Sequence, residues 1–235
     1  MLRLITFDAC NTLFRVRGSP GELYSNVASR FGVQVQPKVL NDSFKHTFRE
    51  FLYKTVPNFG ARGGGKTAGK WWFGVVRQTF NSAGLYDEKT LARISSTLYR
   101  EFSTASYWEV YPEAFDVLEH LKKRDYLLAV ISNFDERLDG ILESLCLKKY
   151  FTFIACSFDV GICKPSPEIF ELVLSHFGVR AAETLHVGDN VELDYKPAIK
   201  LGLKSLIVNR FARNYSEDHV YLEHVIKDLK PLLKL

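Results

Sequence analysis

Short apolar segments alternate with amphipathic segments along most of the chain. Five apolar runs have the length of buried strands, at residues 2–7, 127–131, 153–157, 185–187 and 205–208. The segments between them repeat apolar residues with a period near 3.6; in residues 113–123, Ala114, Val117, Leu118 and Leu121 share one helix face. Strands that alternate with helices in this way predict an α/β fold, with a parallel sheet covered by helices on both faces.

One long stretch interrupts this alternation. From about residue 21 to residue 107 the pattern is helical throughout, with predicted helices at 23–31, 39–53, 71–80 and 91–102. We therefore predict an α/β core from residues 1–15 and 108–235, with residues 16–107 inserted as a helical domain. Residues 217–235 are predicted to form a closing helix that packs on the sheet.

Composition and charge argue against a membrane protein, a secreted protein and a nucleic-acid-binding protein. The longest uncharged apolar runs are too short to cross a bilayer, and the amino-terminal residues lack the pattern of a signal peptide. We therefore expect a cytoplasmic protein with no membrane partner, whose four cysteines are reduced thiols. The net charge of +4 is spread along the chain, which favours small anionic ligands over nucleic acid. No pattern in the sequence indicates an oligomeric state.

Polar residues that follow the predicted strands are the main candidates for a functional site. In open parallel sheets, ligands bind at the carboxyl ends of the strands, so residues just past the strands should meet there. Taken singly, each has a common structural explanation as a turn or a helix cap. Together they supply three carboxylates, a lysine and a hydroxyl, the groups needed for Mg²⁺-assisted attack on a phosphate. They are Asp8, Ser132, Asn133, Lys164, Asp189 and Asp194.

The order of these residues resembles the four motifs of the haloacid dehalogenase (HAD) superfamily. The matching segments are Asp8-Ala-Cys-Asn-Thr-Leu-Phe, Ser132-Asn133, Lys164-Pro-Ser-Pro and Gly188-Asp189-Asn-Val-Glu-Leu-Asp194. The resemblance covers essentially the whole chain, because the helical insertion stands where that superfamily carries a type-one cap. It implies a Rossmann-like parallel sheet core with an inserted α-helical cap. The Trp71-Trp72 pair and the segment Ser-Asn-Phe-Asp-Glu-Arg-Leu from Ser132 are similar to one subgroup of the superfamily.

The resemblance also implies roles for the residues that would contact the substrate. Asp8 would be the nucleophile, which attacks phosphorus and forms an aspartyl-phosphate. Ser132 and Asn133 would bind the transferring phosphoryl group. Lys164 would neutralise its charge and orient Asp8, and Thr12 would brace the nucleophile loop. The implied substrate is a small, phosphorylated anion.

A magnesium site is implied by the same resemblance. Asp8, Asp189 and the backbone carbonyl of Cys10 would bind Mg²⁺. Asp194 would support the metal from the second shell or through water.

Cys10 departs from the pattern of HAD phosphatases. They carry a second aspartate two residues after the nucleophile, which protonates the leaving alcohol and later activates water. A thiol is a poor proton donor at neutral pH, and loss of a general acid–base costs about 10²–10⁴ in rate. The sequence therefore predicts a phosphatase-like hydrolase with slow turnover.

Three other interpretations stay open. HAD dehalogenases also lack the second aspartate, but they need no metal, so the Asp189 and Asp194 carboxylates argue against that activity. Phosphonatases combine a metal with a missing second aspartate and require a cap lysine, for which Lys54, Lys66 and Lys70 are available. The third is a catalytically weak or inactive HAD fold that serves as a binding or scaffold protein.

Two further features have ordinary explanations. Residues 60–67 fit the nucleotide-binding P-loop pattern, but they stand inside the helical insertion, where no buried strand precedes them. We interpret them as a flexible loop of the cap. His186 lies within an apolar strand, and we interpret it as a hydrogen-bonded core histidine and not as a ligand.

Overall fold

A parallel sheet forms the centre of the core. The computed structural model describes residues 1–55, 67–215 and 222–235. Within those residues, six parallel strands pair in the order β5-β4-β1-β6-β7-β8. Their bounds are β1 Leu4–Phe7, β4 Leu127–Ser132, β5 Phe153–Cys156, β6 Thr184–Gly188, β7 Lys204–Val208 and β8 Val225–Ile226. The α/β class and the parallel sheet predicted from the sequence are confirmed.

The first strand lies in the middle of this sheet. Leu4 of β1 is in register with Leu127 of β4 on one side and with Thr184 of β6 on the other. The chain therefore adds β4 and β5 on one side of β1, and then crosses to add β6, β7 and β8 on the other. Such a change of direction opens a crevice at the carboxyl end of the central strand, which is where ligands bind in this class of sheet.

Five helices accompany the sheet in the described residues: α5 Ala114–Lys123, α6 Leu138–Ser144, α7 Ser157–Val160, α8 Pro167–Phe177 and α9 Lys196–Lys200. Helix α8 starts at Pro167, where a proline costs no helical hydrogen bond, and it ends at Gly178, whose φ of 60° suits glycine. Its buried residues Ile169, Phe170 and Val173 pack with Leu4 and Ile131 of the sheet. The apolar stripe predicted for this helix is thus its core-facing side.

The chain divides into two compact units, one of Met1–Arg15 with Val110–Leu235 and the other of Val16–Glu109. Two short strands, β2 Phe14–Val16 and β3 Trp108–Val110, pair where the chain passes from one unit to the other. The second unit contains the helices α1 Pro20–Ser29, α2 Pro37–Thr55, α3 Thr67–Ser82 and α4 Glu88–Glu101.

The helices of the second unit begin at strong local signals. The Ser19 hydroxyl accepts from the Glu22 amide while the Glu22 carboxylate accepts from the Ser19 amide, a reciprocal cap at the start of α1. Asp87 caps α4 in a similar way. Their apolar faces meet in one buried cluster that includes Tyr24 and Phe80.

The prediction of a closing helix over residues 217–235 is wrong in the part that the structure describes. Leu222–His224 and Lys230–Lys234 are short 3₁₀ turns, and β8 lies between them as an edge strand paired with β7. Pro231 disfavours α-helical geometry in the residue before it, so the last apolar residues form a tight turn instead of a longer helix.

Two expectations concern the chain as a whole. In the described parts of the chain, no helix combines the length and the apolar character needed to cross a bilayer. None of the four cysteines takes part in a disulfide bond in this structure.

Candidate functional site

The loop that follows β1 holds Asp8 at the carboxyl end of the central strand. The Asp8 backbone N–H donates to the Val187 carbonyl at 2.9 Å, so the ladder with β6 continues up to this residue. The chain then turns tightly, because the Leu13 N–H donates to the Ala9 carbonyl at 2.9 Å and Asn11 adopts a φ of 62°. Asparagine tolerates this left-handed conformation better than most residues. The turn fixes the position of Asp8, whose side chain is only 10% exposed.

A buried lysine joins two of the predicted acids. Lys164 Nζ lies 2.7 Å from Asp8 Oδ1 and 2.5 Å from Asp194 Oδ1, and its side chain is 2% exposed. The Asn133 side chain holds the backbone of Lys164. Its Nδ2 donates to the Lys164 carbonyl at 2.8 Å, and its Oδ1 accepts from the Lys164 N–H at 2.7 Å. The resemblance implies phosphate binding for Asn133, which stays a prediction; in the structure its amide group contacts the backbone of Lys164.

A single π-helical turn after β6 places the Asp194 side chain next to Gly188, the last residue of that strand. The turn spans Val191–Tyr195, and the Asn190 side chain caps it by accepting from the next backbone amides. Asp194 Oδ2 accepts from the Asn190 N–H at 3.0 Å, while its Oδ1 lies 3.2 Å from His186 Nε2. A methyl group added to Gly188 would lie 2.3 Å from the Asp194 carboxyl carbon. This carboxylate therefore occupies space that only a glycine at position 188 leaves open.

Burial and charge set the protonation of these groups. Burial, together with Asp194, raises the pKa of Asp8, although Lys164 opposes this shift. Burial and the nearby Asp8 and Asp194 carboxylates raise the pKa of Asp189 to about 7. Burial alone would raise the pKa of Asp194, but Lys164 and His186 outweigh it and hold that pKa below its usual range. Three carboxyl groups share one lysine, so burial and mutual repulsion disfavour the ionisation of all three at once.

The three aspartates form a set of hard oxygen donors. One carboxylate oxygen each from Asp8, Asp189 and Asp194 lies within 4.8 Å of the others. Oxygen donors of this kind fit Mg²⁺. The three predicted aspartates therefore lie together, and Mg²⁺ binding at this set stays a prediction.

The remaining predicted residues lie close to this set. Ser132, 2% exposed, ends β4 next to β1. Cys10 is half-buried in the loop after Asp8, and burial with the Asp8 and Asp189 charges raises the pKa of its thiol well above the ordinary value. The thiol is therefore neutral at physiological pH.

Arg210 is a site-supporting residue that the sequence analysis missed. Its Nη2 donates to the Thr12 carbonyl at 2.8 Å, its Nη1 pairs with Glu113, and its guanidinium lies 3.6 Å from the centroid of the Tyr111 ring. From the end of β7, it holds the loop that carries Asp8. The rule applied to the other strand ends would have found it, because Arg210 stands two residues past β7.

The sequence also points to a P-loop-like segment, to three lysines and to His186. Residues 60–66 of the P-loop-like pattern, Lys66 among them, lie outside the described residues, as does the side chain of Lys54. Lys70 lies on α3, in the second unit. His186 is fully buried and hydrogen-bonded, which confirms its interpretation as a core histidine.

Replacing Gly188 with Ala should disrupt the site. The new methyl group forces Asp194 away from Lys164 and the Asn190 N–H, and overpacking of this kind costs about 1–3 kcal/mol of stability. Gly140→Ala is the matched control, because a methyl group there meets nothing within 4 Å on α6 and should stabilise by roughly 0.5–1 kcal/mol. For each variant, denaturant unfolding measures the stability and calorimetry measures the Mg²⁺ affinity. Equal stability and Mg²⁺ affinity in the two variants would contradict the described packing.

Comparison with known proteins identifies the family. A family model described as "haloacid dehalogenase-like hydrolase" matches residues 2–202. The human "Haloacid dehalogenase-like hydrolase domain-containing protein 3" is 38% identical over 234 residues, covering 99% of this chain and 92% of that protein. This similarity confirms the subgroup resemblance predicted from the Trp71-Trp72 and Ser132 segments.

Solved structures share the fold at lower identity. A 2-haloacid dehalogenase from Pseudomonas syringae pv. tomato is 23% identical, with a TM-score of 0.66, over 100% of this chain and 97% of that one. The HAD-hydrolase YfnB from Bacillus subtilis, solved bound to magnesium, is 19% identical, with a TM-score of 0.74, over 100% and 99%. The match to the family model and the full-length similarity to the human relative establish that this chain belongs to the haloacid dehalogenase-like hydrolase family.

Proposed function

We propose that this chain is a magnesium-dependent phosphotransfer hydrolase, which acts on a small phosphorylated substrate through an aspartyl intermediate at Asp8. The observation that carries the proposal is the buried Lys164 ammonium bonded to both Asp8 and Asp194, with Asp189 beside them. A structural ion pair would not need a third carboxylate so close by. A phosphotransfer site does, because the attacking carboxylate and the phosphate are both negative, and a further carboxylate would hold the Mg²⁺ that offsets their repulsion.

The residues divide the chemistry between them. An Asp8 oxygen attacks phosphorus, a bond forms between them, and the bond from phosphorus to the leaving oxygen breaks. The Lys164 ammonium orients Asp8 and neutralises the phosphoryl oxygens, and the Ser132 hydroxyl donates a hydrogen bond to one of them. Asp8, Asp189 and the Cys10 carbonyl would hold Mg²⁺, with Asp194 in support; the bound ion would reduce the repulsion between carboxylate and phosphate. Water then attacks phosphorus, which releases phosphate and restores the Asp8 carboxylate.

Cys10 explains why we propose slow turnover. The departing alkoxide needs a proton, and the attacking water must lose one. The Cys10 thiol has a raised pKa, so it neither donates a proton readily nor accepts one. Substrates with good leaving groups, such as acetyl phosphate, should form the intermediate most readily.

Replacing Cys10 with Asp tests this function. The carboxyl group supplies the missing acid and base, so turnover of a phosphate monoester should rise, by at most about 10²–10⁴-fold. Cys10→Ser is the control, because it removes the thiol without adding a carboxylate and should bring no gain. Steady-state phosphate release with Mg²⁺ measures both. If Cys10→Asp brings no gain and beryllium fluoride traps nothing at Asp8, the proposal fails.

A second candidate function is haloacid dehalogenation, which Cys10 favours because that reaction needs no acid at this position. The Asp189 carboxylate argues against it, since a metal-free reaction has no use for further negative charge beside Asp8. A panel of haloacids and phosphorylated metabolites, each with Mg²⁺ or with EDTA, separates the two. Halide release in EDTA supports the dehalogenase, and a flat panel supports a binding or scaffold role.

A further inference from the structure

A fully buried histidine has both of its ring nitrogens engaged. His186 Nδ1 lies 2.8 Å from the Thr6 hydroxyl, and Nε2 lies 3.2 Å from Asp194 Oδ1. Strand pairing sets the first contact, because Thr6 of β1 and His186 of β6 are register partners. A buried, hydrogen-bonded histidine ordinarily only packs. This one reaches the carboxylate that holds Lys164.

The partners of His186 fix which nitrogen carries the proton. Asp194 already accepts from Lys164 Nζ and from the Asn190 N–H, which is the behaviour of an ionised carboxylate, and an ionised carboxylate only accepts. The Nε2 atom must therefore be the donor to Asp194. In the neutral ring, Nδ1 is then an acceptor. The Thr6 hydroxyl, 2.8 Å from Nδ1 and 3.5 Å from the Leu185 carbonyl, donates to the nearer of the two.

The consequence is a directed chain of hydrogen bonds. It runs from the Thr6 hydroxyl to His186 Nδ1, from His186 Nε2 to Asp194, and ends where Lys164 donates to Asp194 and Asp8. Without the Nε2 donor, Oδ1 of this buried carboxylate keeps only the lysine, while Oδ2 keeps the Asn190 N–H. The carboxyl group, and with it the Lys164 ammonium beside Asp8, would then be less firmly held.

We propose that His186 and Thr6 are positioning residues for the phosphotransfer site, which hold the Asp194 carboxylate and through it the Lys164 ammonium that serves Asp8. This inference rests on the proposed function for its catalytic consequence, but its structural content is independent of turnover. Replacing a residue that holds a metal ligand or catalytic side chain in place typically lowers activity or metal affinity 10–100-fold.

Two substitutions of His186 separate positioning from packing. In His186→Gln the amide nitrogen takes the place of Nε2 and still donates to Asp194. In His186→Asn it takes the place of Nδ1 and stops short of Asp194. Both replace the ring by an amide, so a purely packing role predicts similar effects. Thr6→Val and Thr6→Ser form the second pair, in which only serine keeps the hydroxyl.

The experiment combines NMR spectroscopy with kinetics on the full-length chain. In ¹⁵N-labelled wild type, the imidazole resonances that disappear in His186→Gln should report the Nε2–H tautomer. The Lys164 ammonium should give a signal protected from water exchange in wild type, His186→Gln and Thr6→Ser. That signal should be lost in His186→Asn and weakened in Thr6→Val. Turnover of acetyl phosphate should fall about 10–100-fold in His186→Asn through kcat, with KM little changed.

The possible outcomes are distinct. An Nδ1–H tautomer, or equal ammonium signals in His186→Gln and His186→Asn, would overturn the inference. If wild type turns over no phosphate ester while the contrast between the two variants holds, the phosphotransfer proposal fails and the positioning of Lys164 by His186 stands. If turnover is normal and the contrast is absent, only the inference falls.

Discussion

Asp8→Asn is expected to abolish turnover, by at least roughly 10³-fold, without unfolding the protein. The amide cannot form the covalent bond to phosphorus, so neither acetyl phosphate nor beryllium fluoride should label the variant. Its stability should be equal to or above that of wild type, because burial already raises the pKa of Asp8 and thus disfavours its charged form. Mass spectrometry of the acid-quenched protein measures the label, and denaturant unfolding in EDTA measures the stability.

The matched control for this variant is Asp116→Asn. Asp116 is exposed on α5 and lies outside the predicted site residues, so its replacement should leave both labelling and stability near wild type. Residual labelling of Asp8→Asn would mean that another residue accepts the phosphoryl group. A large loss of stability would mean that Asp8 is a structural residue.

Lys164→Met is expected to cost about 3–5 kcal/mol of stability at neutral pH, because it leaves the buried Asp8 and Asp194 carboxylates without their ammonium partner. The loss should shrink as the pH falls toward the ordinary carboxyl pKa of about 4. In wild type, Lys164 lowers the pKa of Asp194; that stabilisation is fully present above the pH at which the unfolded carboxyl ionises, and it is lost as the pH falls through the lowered pKa. In the variant the carboxyl groups should take up protons on folding, so its stability should fall as the pH rises.

Lys123→Met provides the comparison. Lys123 pairs with Glu119 at 3.5 Å on the surface, with 73% of its side chain exposed, and such a pair contributes about 0–1 kcal/mol. Denaturant titrations in EDTA at several pH values measure both variants. A loss for Lys164→Met that is small, or that is independent of pH, would contradict a buried ammonium bonded to two carboxylates.

Much of the fold follows from local patterns in the sequence. The five apolar runs are strands, and the helices near residues 23, 39, 71 and 91 are present within a few residues of their predicted bounds. These signals are strong because the apolar period, the caps at Ser19 and Asp87 and the prolines at helix starts agree. The prediction of a helix is wrong for residues 222–235 because Val225 and Ile226 pair with β7, a contact that the local sequence does not reveal.

The sequence predicted which residues meet at the site, but not which contacts they make with one another. The rule that residues past parallel strands converge brought Asp8, Lys164 and Asp194 together correctly as a group. It gave no indication that Asn133 would contact the Lys164 backbone, because that depends on the approach of two loops 31 residues apart. The π-helical turn that returns Asp194 to Gly188 likewise has no periodic signal.

The position of β1 has a consequence for synthesis of the chain on the ribosome. Although β1 is made first, one of its neighbours begins at Leu127 and the other at Thr184. At about 5–20 residues per second, its second edge waits roughly 10–40 s for a partner. Nascent chains that end before residue 184 should therefore expose an unpaired apolar strand, and are expected to bind chaperones that release them once β6 emerges.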